Sequence, residues 1–219
     1  MDINSIIHSI SIWALPVIFA VVFHEVAHGW VADRLGDDTA RWMGRLTLNP
    51  IKHIDPVGTI LIPILLVVVG SPFLFGYAKP VPIDFRKLRD PKRDMVWVAA
   101  AGPVTNLILA CVSAVILSLA ATLPMGMAWL AQPVALMAQA SILINMVLCV
   151  FNLLPLPPLD GGRVAVGLMP GPMGYQLSRL EPFGFMIIVV LLLTGVLQSI
   201  IGPLIMGGSR MLVGWALGG

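Results

Sequence analysis

Long apolar runs separated by short charged stretches dominate the chain, and their lengths suit membrane spans better than surface helices. The first run extends from about Ile6 to Val31, enough at about 1.5 Å per residue to cross a hydrocarbon core of about 30 Å, with Pro16 as a bend point. Later runs cover about Met95 to Ala121, Val134 to Asn152 and Phe183 to Met206, the second and third joined by a loop around Thr122 to Pro133 without a charged residue. Between the first and second of these lies Val57 to Val69, apolar but short, interrupted by Pro63 and followed by Gly70-Ser71-Pro72. That pattern suits a re-entrant or hairpin segment over about 57–78.

The polar stretches predict little regular structure. Within Asp33 to Asp55, the alternation and turn residues of Arg41 to Pro50 predict a short strand or β-hairpin. Trp42 to Asn49 would then offer an edge for an extended peptide. The expected fold is an all-α polytopic membrane protein: a helical bundle of about four spans plus a re-entrant or hairpin segment, with a short β-hairpin at the cytoplasmic side. The apolar runs leave no room for a separate soluble unit, so 1–219 reads as a single membrane-embedded domain whose core covers about 6–32, 95–121 and 134–165.

Composition strengthens this picture. Of the residues, 58% are hydrophobic and 11% charged, with a mean hydropathy of +0.94, against about 45–50% apolar in soluble domains. A net charge of +2 and the lack of a basic, aromatic-interleaved run exclude a nucleic-acid surface. Met1 to Ser5 carries no Lys or Arg, so the first apolar run is expected to be retained rather than removed as a signal peptide. Cys111 and Cys149 sit inside apolar runs and read as small hydrophobes rather than as a disulfide.

Charge also orients the chain. Lys and Arg cluster in 33–55 and 79–93, with Arg163 and Arg179 later, while 122–133 has none. By the positive-inside tendency those basic regions face the cytoplasm, which requires 57–78 to enter and leave on one side.

Against this background, His24-Glu25-Val26-Ala27-His28 stands near the end of the first apolar run. Histidines at i and i+4 share one helix face and can reach one metal ion, with Glu25 between them placed to take a proton from water. A tetrahedral catalytic zinc takes a third protein ligand, for which His53, Asp55 and Asp160 are the candidates. Asp160 follows the break Asn152 to Pro158 at the end of a span, where an ionisable residue is a functional candidate; the alternative is a helix cap. Asp55 before Pro56 reads as a cap or turn residue, and His53 as a solvated interfacial histidine.

Two elements together, His24-Glu25-x-x-His28 and Asn152-x-x-Pro155-x-Pro157-x-x-Asp160-Gly161, resemble the site-2 protease family (intramembrane zinc metalloproteases, peptidase family M50) in its short form without a PDZ or CBS domain. Ala101-Gly102-Pro103-x-x-Asn106 and Gly76 to Pro82 share the resemblance, which covers roughly residues 20–165. It implies that His24, His28 and Asp160 hold one Zn2+ and that Glu25 is the catalytic acid/base. It implies too a three-helix core and a substrate that is a membrane protein with a transmembrane helix, cleaved in or near the lipid bilayer. Asn106 and Asn152 are candidates for substrate-backbone or oxyanion contacts, or for interhelical hydrogen bonds. The expected location is a bacterial inner membrane, multi-pass, with the active site toward the cytoplasm. The competing reading is a non-proteolytic zinc-binding membrane protein, a transporter, sensor or scaffold, in which Glu25 has no evident task.

Overall fold

The structure, a computed structural model, describes residues 3–62, 64–65 and 78–219. Helix α1 covers Ile3–Arg34 with Pro16 inside it, and a helical turn α2 covers Thr39–Trp42. Then come α3 (Pro91–Ala121), α4 (Ala128–Asn152), α5 (Asp160–Leu168), α6 (Gly171–Ser178), α7 (Glu181–Leu193) and α8 (Val196–Leu217). Among the described residues, Ile7–Arg34, Pro91–Ala121, Met125–Asn152 and Val196–Leu217 are long and apolar enough to cross a membrane. Outward-facing Leu, Ile, Val and Trp side chains along them stay exposed, as a lipid-facing surface requires.

Helices α1, α3 and α4 pack on one another, and α8 covers the far side of α3 and α4. Leu117, Ile142, Leu197 and Ile201 fill the center of that contact. Polar side chains set the relative directions. His24 and His28 of α1 meet Asn106 and Val98 of α3, so higher numbers on one helix face lower numbers on the other. Asn106 and Ser113 of α3 likewise meet Asn145 and Ser141 of α4. Both pairs are therefore antiparallel, and α1 and α4 run the same way and end on the same side.

The start of α3 is written in its sequence. Asp90 accepts from Arg93 N–H at 3.3 Å, Asp94 accepts from Asp90 N–H at 3.0 Å, and Pro91 occupies the first turn, where its missing N–H costs nothing.

Three expectations need correction. No strand or β-hairpin occurs among the described residues. Asp37 accepts from Thr39 N–H at 3.1 Å and starts the turn α2, and Gly44 at φ 62° ends it. Residues 45–49 run on without a ladder partner, so the alternation in Arg41 to Pro50 reflects packing of a coil, and Trp42 to Asn49 forms no strand edge.

The last span is Val196–Leu217, not Phe183 to Met206. Gly195 at φ 75° breaks the apolar run, leaving α7 with 13 residues, about 20 Å and too short to span unbent. The pair α6 and α7 meets at a bend of 62°. No charged residue marks this break, only Thr194 and Gly195, so hydropathy ran through it. For the same reason α4 begins at Ala128 rather than near Val134: an uncharged loop offers no boundary.

Most of the expected re-entrant segment, at 63 and 66–77, lies outside the described residues. Its flanks do meet. Lys79 N–H donates to His53 O at 2.9 Å, joining the chain before Pro56–Leu61 to the chain that returns at Ala78.

Candidate active site

The H-E-x-x-H helix turns both imidazoles into the bundle, where His24 and His28 are 7% and 8% exposed. Each ring is tied at Nδ1: His24 donates to Asn106 Oδ1 at 2.6 Å and His28 to the Val98 carbonyl at 2.7 Å. A proton held at Nδ1 leaves the lone pair on Nε2, and the two Nε2 atoms lie 3.0 Å apart.

Asp160 completes the group from a segment far along the chain. It is the first residue of α5, whose cap position belongs to Leu159, so capping does not account for it. Its Oδ2 lies 3.2 Å from His24 Nε2 and 3.3 Å from His28 Nε2. Burial pushes this carboxyl up, but the two histidines pull it further down, and it stays well below the usual carboxylate range. Among the described residues this is the single group of three metal-ligating side chains that converge.

The donor set fits zinc. Bonds of about 2.0–2.1 Å at tetrahedral angles separate ligand atoms by about 3.3 Å, close to the distances among these three atoms. Asp160 Oδ2 is buried with no ordinary hydrogen-bond partner among the described residues. The cradle behind the triad is Gly102 of α3, where a Cβ would overlap both imidazoles. That glycine, part of Ala101-Gly102-Pro103, lets α3 approach the ligand face of α1 at backbone distance.

Glycines also place Asp160. A Cβ at Gly161 would overlap the Leu153 and Leu154 carbonyls, one at Gly162 the Leu156–Pro157 backbone, and one at Gly184 of α7 the Pro157 carbonyl. The Asn152 to Pro158 loop thus folds back directly onto α5 and α7. Neither Gly161 nor Gly162 has a positive φ, so close approach rather than a tight turn explains them.

Glu25 stands beside the triad in a cleft of about 210 Å³, and its Oε2 accepts the Val81 N–H at 2.8 Å. Asn152 lines the same cleft. It donates to Leu148 O at 3.0 Å, and its second amide hydrogen has no partner among the described residues.

Asn106 is placed differently. It is fully buried, and its amide hydrogens go to Ala20 O at 3.1 Å and Asn145 Oδ1 at 2.8 Å. With both donors used, its contact to the site is the acceptor on His24, and the expected donation to substrate or oxyanion has no free hydrogen. Asn145 in turn donates to Ser141 O at 2.9 Å, extending the network across α4.

The remaining candidates fall outside the group. Asp55 caps Pro56–Leu61 by accepting from Val57 and Gly58 N–H. His53 is 2% exposed and donates to Thr47 O at 2.8 Å, so it is a buried structural residue and not a solvated one. Sequence reasoning missed Val98, Val81 and Asn145. Two of these act through the backbone, which side-chain chemistry does not reveal, and the third is a lone polar residue in an apolar helix, a signal that was there to be read.

The chain is similar to known proteins over most of its length. The chain is 41% identical over 195 residues to "Putative zinc metalloprotease YwhC" of Bacillus subtilis, covering 89% of this chain and 85% of that protein. It is 31% identical over 184 residues to "Putative zinc metalloprotease Rip2" of Mycolicibacterium smegmatis, covering 83% of this chain and 66% of that protein. No solved structure matches. The family model described as "Peptidase family M50" matches residues 12–128 and 117–195, a stretch that contains the paired histidines, Glu25 and Asp160. With that match and the polytopic helical fold, the chain belongs to peptidase family M50, the site-2 protease family.

Proposed function

We propose that the protein is an intramembrane zinc endopeptidase that hydrolyses peptide bonds in or near transmembrane segments of membrane proteins, as in regulated intramembrane proteolysis. The observation that carries this reading is the convergence of His24 Nε2, His28 Nε2 and Asp160 Oδ2 beside Glu25, at the end of two apolar helices that run the same way. These three residues would hold the zinc. Once bound, zinc supplies Lewis-acid polarisation and brings the pKa of water toward about 7.

The chain's own residues do the rest. Glu25 takes the proton of the attacking water on its carboxylate and returns it to the leaving amine. Asn106 keeps the His24 proton at Nδ1, so Nε2 stays a ligand atom through turnover. Asn152, with one unengaged amide hydrogen on the cleft wall, is suited to a substrate carbonyl. A helical substrate has its backbone hydrogen bonds satisfied internally in lipid, so it must unwind locally to present its carbonyl.

The basic segments 33–55 and 79–93 flank the site end of the bundle, which supports a cytoplasmic orientation in a bacterial inner membrane. They also place polar surface, and hence water, near the cleft.

The deciding experiment compares wild type with Glu25→Gln, reconstituted at matched zinc content with single-span membrane substrates. Cleavage by wild type and none by Glu25→Gln supports the reading. Equal zinc with no difference in cleavage overturns it and favours the zinc transporter, sensor or scaffold.

A further inference from the structure

Glu25 is fixed from outside the helix that carries it. Pro80 and Pro82 have no N–H, so Val81 supplies the sole backbone donor of that tripeptide, and this donor is given to Glu25 Oε2 at 2.8 Å. The strap Lys79–Ile83 forms one wall of the cleft, with Pro80, Val81 and Ile83 facing the triad.

Behind the strap sits a buried cation. Arg45 is 7% exposed and donates from one terminal nitrogen to the Lys79 carbonyl at 2.9 Å and the Pro80 carbonyl at 3.3 Å. Its Nε is buried without a partner among the described residues. Burying a guanidinium and leaving one of its donors unmatched is costly, and a plain connecting loop has no need of it. Lys79 N–H is held in addition by His53 O, and His53 by Thr47 O.

The strap's other contact is steric. Val81, 5% exposed, lies against α1 at Gly29, the residue after His28. A Cβ at Gly29 would come within 2.7 Å of both Val81 Cγ1 and Leu46 Cδ2, and within 3.3 Å of Ala40 Cβ. Glycine at 29 therefore lets the strap come down far enough for the Val81 N–H to reach Glu25.

We propose that Lys79–Ile83 is a positioning strap for Glu25 and that Arg45 is its latch, a positioning residue that acts on the chemistry through the Val81 N–H. The inference rests on Glu25 serving as the general base. With one carboxylate oxygen fixed by the strap, the other is presented to water in a single orientation. Without the strap, Glu25 regains its rotamer freedom, and displacements of about 1 Å in a catalytic group cost up to about 100-fold in rate.

The test uses full-length protein in proteoliposomes: wild type, Arg45→Met, Arg45→Lys, Gly29→Ala, and Gly29→Ala combined with Val81→Ala. Zinc content, kcat and KM for a cleaved substrate, and hydrogen exchange of the Val81 amide are measured on each. Arg45→Met and Gly29→Ala are expected to speed Val81 exchange and lower kcat at least about tenfold, with KM and zinc unchanged. Arg45→Lys should recover part of the loss. Gly29→Ala gains helix propensity in α1 but crowds Val81 and Leu46, so unchanged zinc content and thermal stability are required before its loss of kcat is assigned to the strap. Val81→Ala keeps the N–H while removing the methyl 2.7 Å from the added Cβ, and should restore part of the exchange protection and of kcat to Gly29→Ala, the equally close Leu46 Cδ2 remaining.

Unchanged Val81 exchange in Arg45→Met and Gly29→Ala, or a loss confined to KM or zinc, overturns the strap. If zinc-loaded wild type cleaves nothing, the protease reading fails on its own, and Glu25→Ala then decides the contact. Faster Val81 exchange in that variant supports the strap, and unchanged exchange overturns it.

Discussion

Replacing Asn106 by Leu separates two roles that its position in the middle of α3 would otherwise leave open. The substitution keeps an apolar group of similar size at a fully buried site, but removes the acceptor on His24 Nδ1 and both donors, to Ala20 O and Asn145 Oδ1. Removing the partner that orients a metal-bound histidine weakens metal binding by about 10- to 100-fold, or about 1.4–2.7 kcal/mol. Interhelical hydrogen bonds inside membrane bundles contribute only about 0.6 kcal/mol on average, so two lost donations leave the bundle folded while zinc affinity falls. The assay is competition for zinc between the purified protein and a chelator of known affinity. Asn106→Asp retains an acceptor for His24 and should recover most of the loss. Zinc affinity in Asn106→Leu within twofold of wild type, with a fall in turnover alone, would refute this reasoning and return Asn106 to a substrate or oxyanion contact.

Other outcomes follow from the same geometry. Gly102→Ala gains up to about 1 kcal/mol of helix propensity, yet its Cβ would overlap the His24 and His28 imidazoles, so elemental analysis should find most of the zinc lost from a protein of ordinary thermal stability. Asp160→Asn removes the carboxylate charge held between His24 and His28 and should reduce zinc occupancy; unchanged metal content would make Asp160 a structural residue. Lys87→Cys, in a background with Cys111 and Cys149 replaced, should react with a membrane-impermeant thiol reagent only from the cytoplasmic side, and labelling from outside would overturn the orientation read from charge.

Much of this protein is legible without coordinates, because the signals are local. Run length against bilayer thickness marks α1, α3 and α4, and the four-residue spacing of His24 and His28 puts two ligands on one face whatever else the chain does. The third candidate is different: His53, Asp55 and Asp160 were all admissible by chemistry, Asp160 stood out by its place at a broken span end with a helix cap as the alternative, and the family resemblance strengthened that choice. Its meeting with the histidines depends on α1 and α4 running the same way, and on glycines at 102, 161, 162 and 184 that bring backbones together. Where no charge marks a boundary, hydropathy misled. The break at Gly195 and the start of α4 at Ala128 needed the folded chain, as did the absence of a strand at Trp42 to Asn49.

The division has a physical cause. Periodicity and hydropathy record what each segment does against its surroundings, so the sequence determined that this chain enters a membrane and presents a paired-histidine face with an acid between. Which lone polar group in one helix meets which in another is set by helix order, direction and register. Only the tertiary structure decided that Asn106 meets His24, that Asp160 converges with both histidines, and that the Val81 amide comes from across the cleft to Glu25.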